Sequence, residues 1–491
     1  MTTTTNQLLK SSAFLLLAKT AQRSLSIISV LVLARLLSPE DFAIVAISAL
    51  LLYFCETLSS TGSEPYIVRK RRVIKSDLST AWTLDLTLKL GVFLLFALAI
   101  PFIADFYQDG RLEPVLYVTS TILLINAAKS PGIIVLKRNL QYRKIFYLMI
   151  SQKAISFCVT ISIAFLQKSY WALIIGDICA ALTLCVGSYI IHSFRPRLSL
   201  RNWKDQWLFS KWILFRASVG YGKSQMDSLL VSKFFNPTEL GAFYMSKNLS
   251  TLPSTDIIGP VVEPLLATFS KSKEHFHEFN QQLSKAIFLV GCLIVPIGVY
   301  MIYFPEHVIN LLFGAGWDVA YSILPPLSAT LIVIAVSQVI NQAFVALGKV
   351  RQLFIYEILG VTSLGIVLFL SKDTQIDTFS WIRASLSAML LLLIVLYFRL
   401  STGYSVERPF ILLAPISLIA VASGIITGNI IGHQPDHASP LSLFVSCSIF
   451  SSLFATFGLT YIFLIRKRMQ ESQMIITMLG KAYNSILSRA R

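Results

Sequence analysis

The chain is built from apolar runs of about 20 residues, each closed by a short polar or basic connection. That length lets an α-helix, rising 1.5 Å per residue, cross ~30 Å of hydrocarbon. Six runs fall near 14–37, 42–63, 79–104, 113–136, 145–166 and 170–191, and eight more near 212–235, 240–269, 284–313, 320–347, 352–371, 379–399, 409–431 and 441–465. The pattern predicts an all-α polytopic membrane protein of about 14 transmembrane helices. The longest internal polar break, HSFRPRLSLRNWKDQWLFSK, divides the runs. The expected organisation is a six-helix bundle over 1–191, a cytoplasmic linker over 192–211 and a second six-helix bundle over 212–400. Two appended helices over 401–465 and a basic amphipathic cytoplasmic tail over 466–491 complete it.

An internal repeat supports two related halves. ARLLSPEDFA, 34–43, returns as SKFFNPTELG, 232–241. Ser38 and Asn236 stand as N-cap residues, each followed by proline at the first helical position and by an acid in the first turn. Glu64-Pro65 and Glu263-Pro264 repeat at nearly the same interval. Six spans separate the copies, so both run in the same direction and the halves are expected to be parallel repeats.

Composition agrees with this reading and disposes of the simplest alternative. Of 491 residues, 55% are hydrophobic and 14% charged, and the mean hydropathy is +0.68. A net charge of +17 would suggest nucleic acid in a soluble protein. Here the basic residues collect in alternate connections, among them Arg69 to Arg72, Lys137 to Lys144, Arg195 to Lys211 and the tail from Arg466. The connections between them carry mostly acids. That alternation puts both termini on the cytoplasmic side and accounts for the charge by topology. The six cysteines all sit in apolar runs and read as small buried hydrophobes.

Ionisable groups inside spans cost about 2.5 to 3.5 kcal/mol each on insertion scales, so each is expected to meet a partner or a wet cavity. They gather on the first two spans of each half: Lys19 and Arg23, Glu56 and Glu64, then Arg216, Lys223 and Asp227, then Lys247, Asp256 and Glu263. The functional reading is a polar chamber with a cationic excess suited to a phosphate. Blander readings stand beside it. Lys19, Lys129 and Lys153 lie close enough to a cytoplasmic end to snorkel, Arg35 and Lys233 sit where interfacial anchors sit, and Asp85 with Lys89 is spaced as a neutralising pair within one helix. Pro253, Gly259, Pro260 and Pro264 break the eighth span beside its charges.

Signals for covalent chemistry are weak. ASVGYGKS, 217–224, imitates a phosphate loop but lacks its first glycine and lies inside an apolar run. His275 with His277 and His433 with His437 lack further metal ligands nearby. No outer connection is long enough for a sizeable catalytic domain.

LARLLSPEDFAIVAIS (33–48), VLKRNLQYRKI (135–145), the 227–253 run, LFGAGWDVAYSILPPLS (312–328) and ALGKVRQ (346–352) resemble the Wzx-type polysaccharide flippases, nearest the colanic-acid-exporter-like branch. That group shares a superfamily with the lipid II flippase MurJ and the MATE exporters. Two positions depart from the pattern: Ala43 where glycine is usual, and Lys247 where a small or aromatic residue is commoner. The resemblance implies a V-shaped pair of six-helix bundles in the bacterial inner membrane. These would move an undecaprenyl-diphosphate-linked oligosaccharide to the outer leaflet by alternating access, as a transporter and not an enzyme. Joined to the charge map, it assigns Lys19, Arg23, Arg216, Lys223 and Lys247 to the diphosphate and glycan, and Glu56, Asp227, Asp256 or Glu263 to a coupling H+ or Na+. No cofactor is expected; the glycan polymerase and export machinery are expected partners. The rival readings are a MATE-like small-molecule exporter and a membrane glycan polymerase or ligase.

Overall fold

The repeated turn is built the same way twice. In the first copy the Asp41 amide donates to Ser38 Oγ at 3.3 Å while the Ser38 amide donates to Asp41 Oδ2 at 3.1 Å. In the second, the Glu239 amide donates to Asn236 Oδ1 at 2.8 Å and the Asn236 amide to Glu239 Oε2 at 3.1 Å. Both are reciprocal capping boxes, which satisfy amides that a helix start otherwise leaves bare. They open α2 (Pro39–Leu58) and α10 (Pro237–Pro253).

The computed structural model describes residues 2–69, 73–139, 141–201, 203–431 and 440–465. The basic tail, His433 and His437 lie outside the described residues, as do the side chains of Arg216 and Lys223. The described residues are all-helical, and their contacts divide the chain into two compact units, Met1–Gly241 and Ala242–Arg491.

In the first unit α1 (Thr2–Leu36) lies along α7 (Tyr142–Gln167), which packs on α8 (Trp171–Ile191). α4 (Lys75–Tyr107) runs beside α5 (Leu112–Ala127), and short helices α3 (Ser63–Arg69) and α6 (Gly132–Arg138) meet below them. α2 is the buried centre, with Phe42 through Ile47 all inside. α4 shows lipid the opposite face, Phe102 being 78% exposed. After α8 the chain has no regular secondary structure from 192 to 200 and stays docked: the Ser199 amide donates to Thr83 Oγ1 at 3.0 Å, and Ser130 Oγ donates to the Phe194 carbonyl at 3.2 Å. α9 (Trp203–Phe234) then packs on α2, where Tyr221 donates its hydroxyl proton to the Leu50 carbonyl at 3.0 Å. Between α4 and α5, the Arg111 guanidinium beside Asp109 (2.8 Å) holds that carboxyl below its ordinary range.

In the second unit α10 does not continue straight. Pro253 ends it, a π-helical turn follows over Ser254–Ile258, and α11 (Gly259–Val262) and α12 (Leu265–Ser272) resume the path. The prolines predicted to break this span do so, because each lacks an amide proton for the helical ladder. α13 (Phe276–Tyr303), α14 (Pro305–Leu312), α15 (Asp318–Ala346), α16 (Val350–Leu370), α17 (Ile376–Thr402), α18 (Glu407–Ile431) and α19 (Pro440–Ile465) follow. α13 and α15 form the core, with Phe279, Phe288 and Phe344 almost fully buried.

Ten of the described helices are long and apolar enough to span a bilayer, or eleven counting α5 with α6, which bend by 60° at the Ser130-Pro131 break. The other three expected spans correspond to α1, α9 and α10, the most polar of the longer helices. The structure therefore supports a multi-pass membrane protein.

Candidate functional site

The first unit has a half-open cavity of about 620 Å3 between α2, α4, the α5–α6 bend and α7. Its wall carries polar groups where the chain is irregular. Gly62, at φ 57°, lets the chain turn from α2 into α3 and brings Ser60, Thr61 and Ser63 to the lining. Ser130 and Pro131 interrupt the span opposite, where the Ser130 amide finds Ser188 Oγ at 2.9 Å in place of a helical carbonyl. Irregular backbone at membrane depth persists only where protein or a wet cavity receives it.

The charged lining is mostly paired. Lys89 Nζ donates to Asp85 Oδ2 at 2.6 Å, and Thr61 donates to the other oxygen at 3.2 Å. Asn126 Nδ2 donates to Glu56 Oε1 at 2.8 Å, and Lys137 meets Glu64 at 2.7 Å. The expected pair in one helix is therefore present. Lys129 is different: it lines the cavity, within electrostatic reach of Lys89, Asp85 and Glu56, and makes no ion pair among the described residues. It follows the end of α5, beside the bend. Trp82 also lines the cavity, its indole N–H closed off from solvent and without an acceptor among the described residues. An ammonium at such a wall is suited to an anionic oxygen.

Glu56 also lines a second, smaller cavity of about 120 Å3 with Tyr53, Thr119 and Asp177. Beyond it Lys153 of α7 lies within electrostatic reach of Asp177 and Arg23. Lys153 therefore has charged company inside the unit, which the snorkelling expectation did not anticipate. Polar groups thus run from Arg23 through Lys153, Asp177 and Glu56 to the larger cavity.

The predicted site residues are distributed over several places. Lys19 is exposed on α1, four residues before Arg23. Asp227 is buried on α9, accepting from the Ser228 amide at 2.8 Å. Lys247 is half-buried on α10, and Asp256 is exposed on the π-helical turn. Glu263 lines a cavity of the second unit. Lys233 is a structural anchor: its ammonium donates to the Phe106 carbonyl at 2.6 Å and lies 3.6 Å from that ring's centre. Sequence reasoning missed Asn126, Trp82 and the cavity role of Lys129. The Lys-Ser-Pro-Gly stretch at 129–132, a break inside an apolar run, was the available signal.

Residues 32–322 match the profile of the family described as "Polysaccharide biosynthesis protein". The chain is 20% identical over 313 residues to the lipopolysaccharide biosynthesis protein WzxC of Escherichia coli (strain K12), covering 63% of each. It is 21% identical over 314 residues to the succinoglycan biosynthesis transport protein ExoT of Rhizobium meliloti (strain 1021), again 63% of each. The chain thus spans a little under two thirds of these relatives. Among solved structures the inward closed conformation of the lipid II flippase MurJ superposes with a TM-score of 0.70 at 14% identity, over 90% of this chain and 98% of that one. The fold is that of MurJ, and the resemblance to Wzx-type proteins stands. With 291 of its 491 residues under the family profile, the chain belongs to the polysaccharide biosynthesis protein family.

Proposed function

We propose that the chain flips an undecaprenyl-diphosphate-linked oligosaccharide repeat unit from the cytoplasmic to the outer leaflet of the bacterial inner membrane. On this reading about fourteen spans cross the bilayer, both termini are cytoplasmic, and the two halves alternate access. The observation that carries it is Lys129: an ammonium that makes no ion pair among the described residues, on the wall of a cavity that also presents hydroxyl, amide and carboxylate groups. A diphosphate crossing a low-dielectric interior needs such a cation, and a glycan needs the surrounding hydroxyl and amide groups. The family membership supports the same assignment, as do relatives named for lipopolysaccharide biosynthesis and succinoglycan transport.

Lys19, Arg23, Arg216, Lys223 and Lys247 are proposed to complete the path for the diphosphate. Glu56, Asp227, Asp256 or Glu263 would carry a coupling H+ or Na+. The glycan polymerase and export machinery would take the product. The test is a fluorescently labelled undecaprenyl-diphosphate oligosaccharide in proteoliposomes, read by a membrane-impermeant quencher. Lys129→Ala should slow transfer about tenfold, one lost charge-assisted contact, while Lys129→Arg retains most of it. Wild-type protein that leaves the lipid-linked glycan in its original leaflet refutes the function; a fully active Lys129→Ala variant refutes the site.

A further inference from the structure

The second unit has a cavity of different chemistry. About 320 Å3 in volume, it is lined by Gly259, Val262, Glu263, Gln338, Asn341 and Gln342. The three carboxamides stand at i, i+3 and i+4 on α15, so they share one face over roughly 6 Å of helix rise. The rest of the lining comes from the broken segment after the π-helical turn: Gly259, Val262 and the exposed Glu263. Gln338 Nε2 is committed, donating to Ser254 Oγ of that turn at 3.0 Å. Asn341 is not: its Oδ1 is shut off from solvent and meets no donor among the described residues. A buried acceptor left unmade costs ~1 to 3 kcal/mol, a cost relieved if the Asn341 amide turns toward the cavity and meets a donor there.

The choice of groups identifies that donor. No Lys or Arg lines the cavity among the described residues, which sets it apart from the Lys129 cavity and disfavours a phosphate. A carboxamide both donates and accepts, and so matches the hydroxyl, which does the same. The volume falls at the lower end of small-ligand pockets, a size for one ring and not for a bare cation. A cation site would draw its oxygens to within ~2.5 Å of one point, and the described residues hold no group of three or more His, Cys, Asp or Glu side chains that could bind a metal ion.

We propose that this cavity holds a neutral sugar ring of the transported glycan, with the Asn341 and Gln342 amides and the Glu263 carboxylate bonding its hydroxyls, which leaves a coupling ion to Glu56, Asp227 or Asp256. The inference rests on the reading that the chain moves a lipid-linked glycan, and it names a subsite for the sugar separate from the cationic one. Gln338 positions the broken segment; Asn341 and Gln342 select the ligand.

The test uses the full chain in an amine-oxide detergent, which carries no sugar, and saturation-transfer NMR with galactose, glucose and N-acetylglucosamine at millimolar concentration. At least one sugar should receive saturation from the wild type. Asn341→Leu should weaken that signal about tenfold, as expected where a site built to bond hydroxyls loses one of its amides, while Asn341→Asp keeps the Oδ1 acceptor and the binding. Circular dichroism melting establishes that Asn341→Leu folds; if it does not, Gln342→Leu carries the same expectation. No transfer from any of the three sugars overturns the inference, as does unchanged transfer from the folded leucine variant. So does stabilisation by sodium that Asn341→Leu abolishes, since the cavity is then a cation site. The proteoliposome assay separates this failure from that of the transport reading: transport without sugar transfer removes the subsite alone, and absence of transport removes the function.

Discussion

Gly241 is the sharpest place to test the repeated turn. A Cβ added there would lie 1.8 Å from the Pro39 carbonyl oxygen and 2.6 Å from its carbon. Carbon and oxygen in contact sit at about 3.3 Å, so Gly241→Ala needs the two backbones to part by about 1.5 Å. Neither side is free to yield. Each is the first turn of a helix fixed by its capping box, and Thr238 Oγ1 bonds Glu40 Oε1 across the contact at 3.3 Å. Overpacking costs about 1 to 3 kcal/mol, and a backbone obstacle puts this site at the upper end. In a unit of this size about 3 kcal/mol corresponds to a fall in Tm of roughly 6 to 12 °C. The assay is thermal melting of purified protein, with Gly220→Ala as control. A Cβ at Gly220 meets nothing within 4 Å, and that helical position should gain about 0.5 to 1 kcal/mol. A Gly241→Ala protein that melts with the wild type, or a Gly220→Ala protein that loses as much, refutes the reasoning.

Two further predictions concern the first unit. The side chains of Lys89 and Asp85 are 13% and 25% exposed, so Lys89→Met should cost about 2 to 3 kcal/mol, between the ~0 to 1 of surface pairs and the ~3 to 5 of buried ones. Lys89→Met with Asp85→Asn should recover most of it, and equal losses for single and double variants in chemical melts would contradict the pairing. Burial, helped by Lys144 and Arg195, pulls the His192 imidazole below its ordinary pKa of 6.5. Protonation is therefore disfavoured in the folded chain: the docking of 192–200 is fully stable above about pH 6.5 and weakens as pH falls below it. Limited proteolysis of that segment at about pH 7.5 and 5.5 should show faster cutting in acid, a difference that His192→Asn abolishes.

The all-helical membrane fold was legible in the sequence because hydrocarbon leaves backbone polar groups no partner but their own helix, and apolar length records that constraint directly. The repeat was legible because caps are local chemistry: Ser38 with Asp41, and Asn236 with Glu239, close boxes within four residues. Likewise Pro253 and its successors announced the broken span. What a linear chain could not show is which charges meet. Depth along a helix makes Lys129 and Lys153 able to snorkel, but only the fold shows that Lys129 lines a cavity beside the 60° bend after α5 and that Lys153 lies near Asp177. Glu56 was grouped with cations of other helices, yet its hydrogen bond comes from Asn126, 70 residues away. Gln338, Asn341 and Gln342 passed unremarked because amides are common, and only the packing of α15 against a broken helix leaves one of them unsatisfied beside a cavity. Sequence alone determined solvent, element length and local caps, each set within a few turns of chain. Tertiary structure decided pairing and cavity chemistry, which depend on helices distant in sequence and on where their breaks turn the side chains.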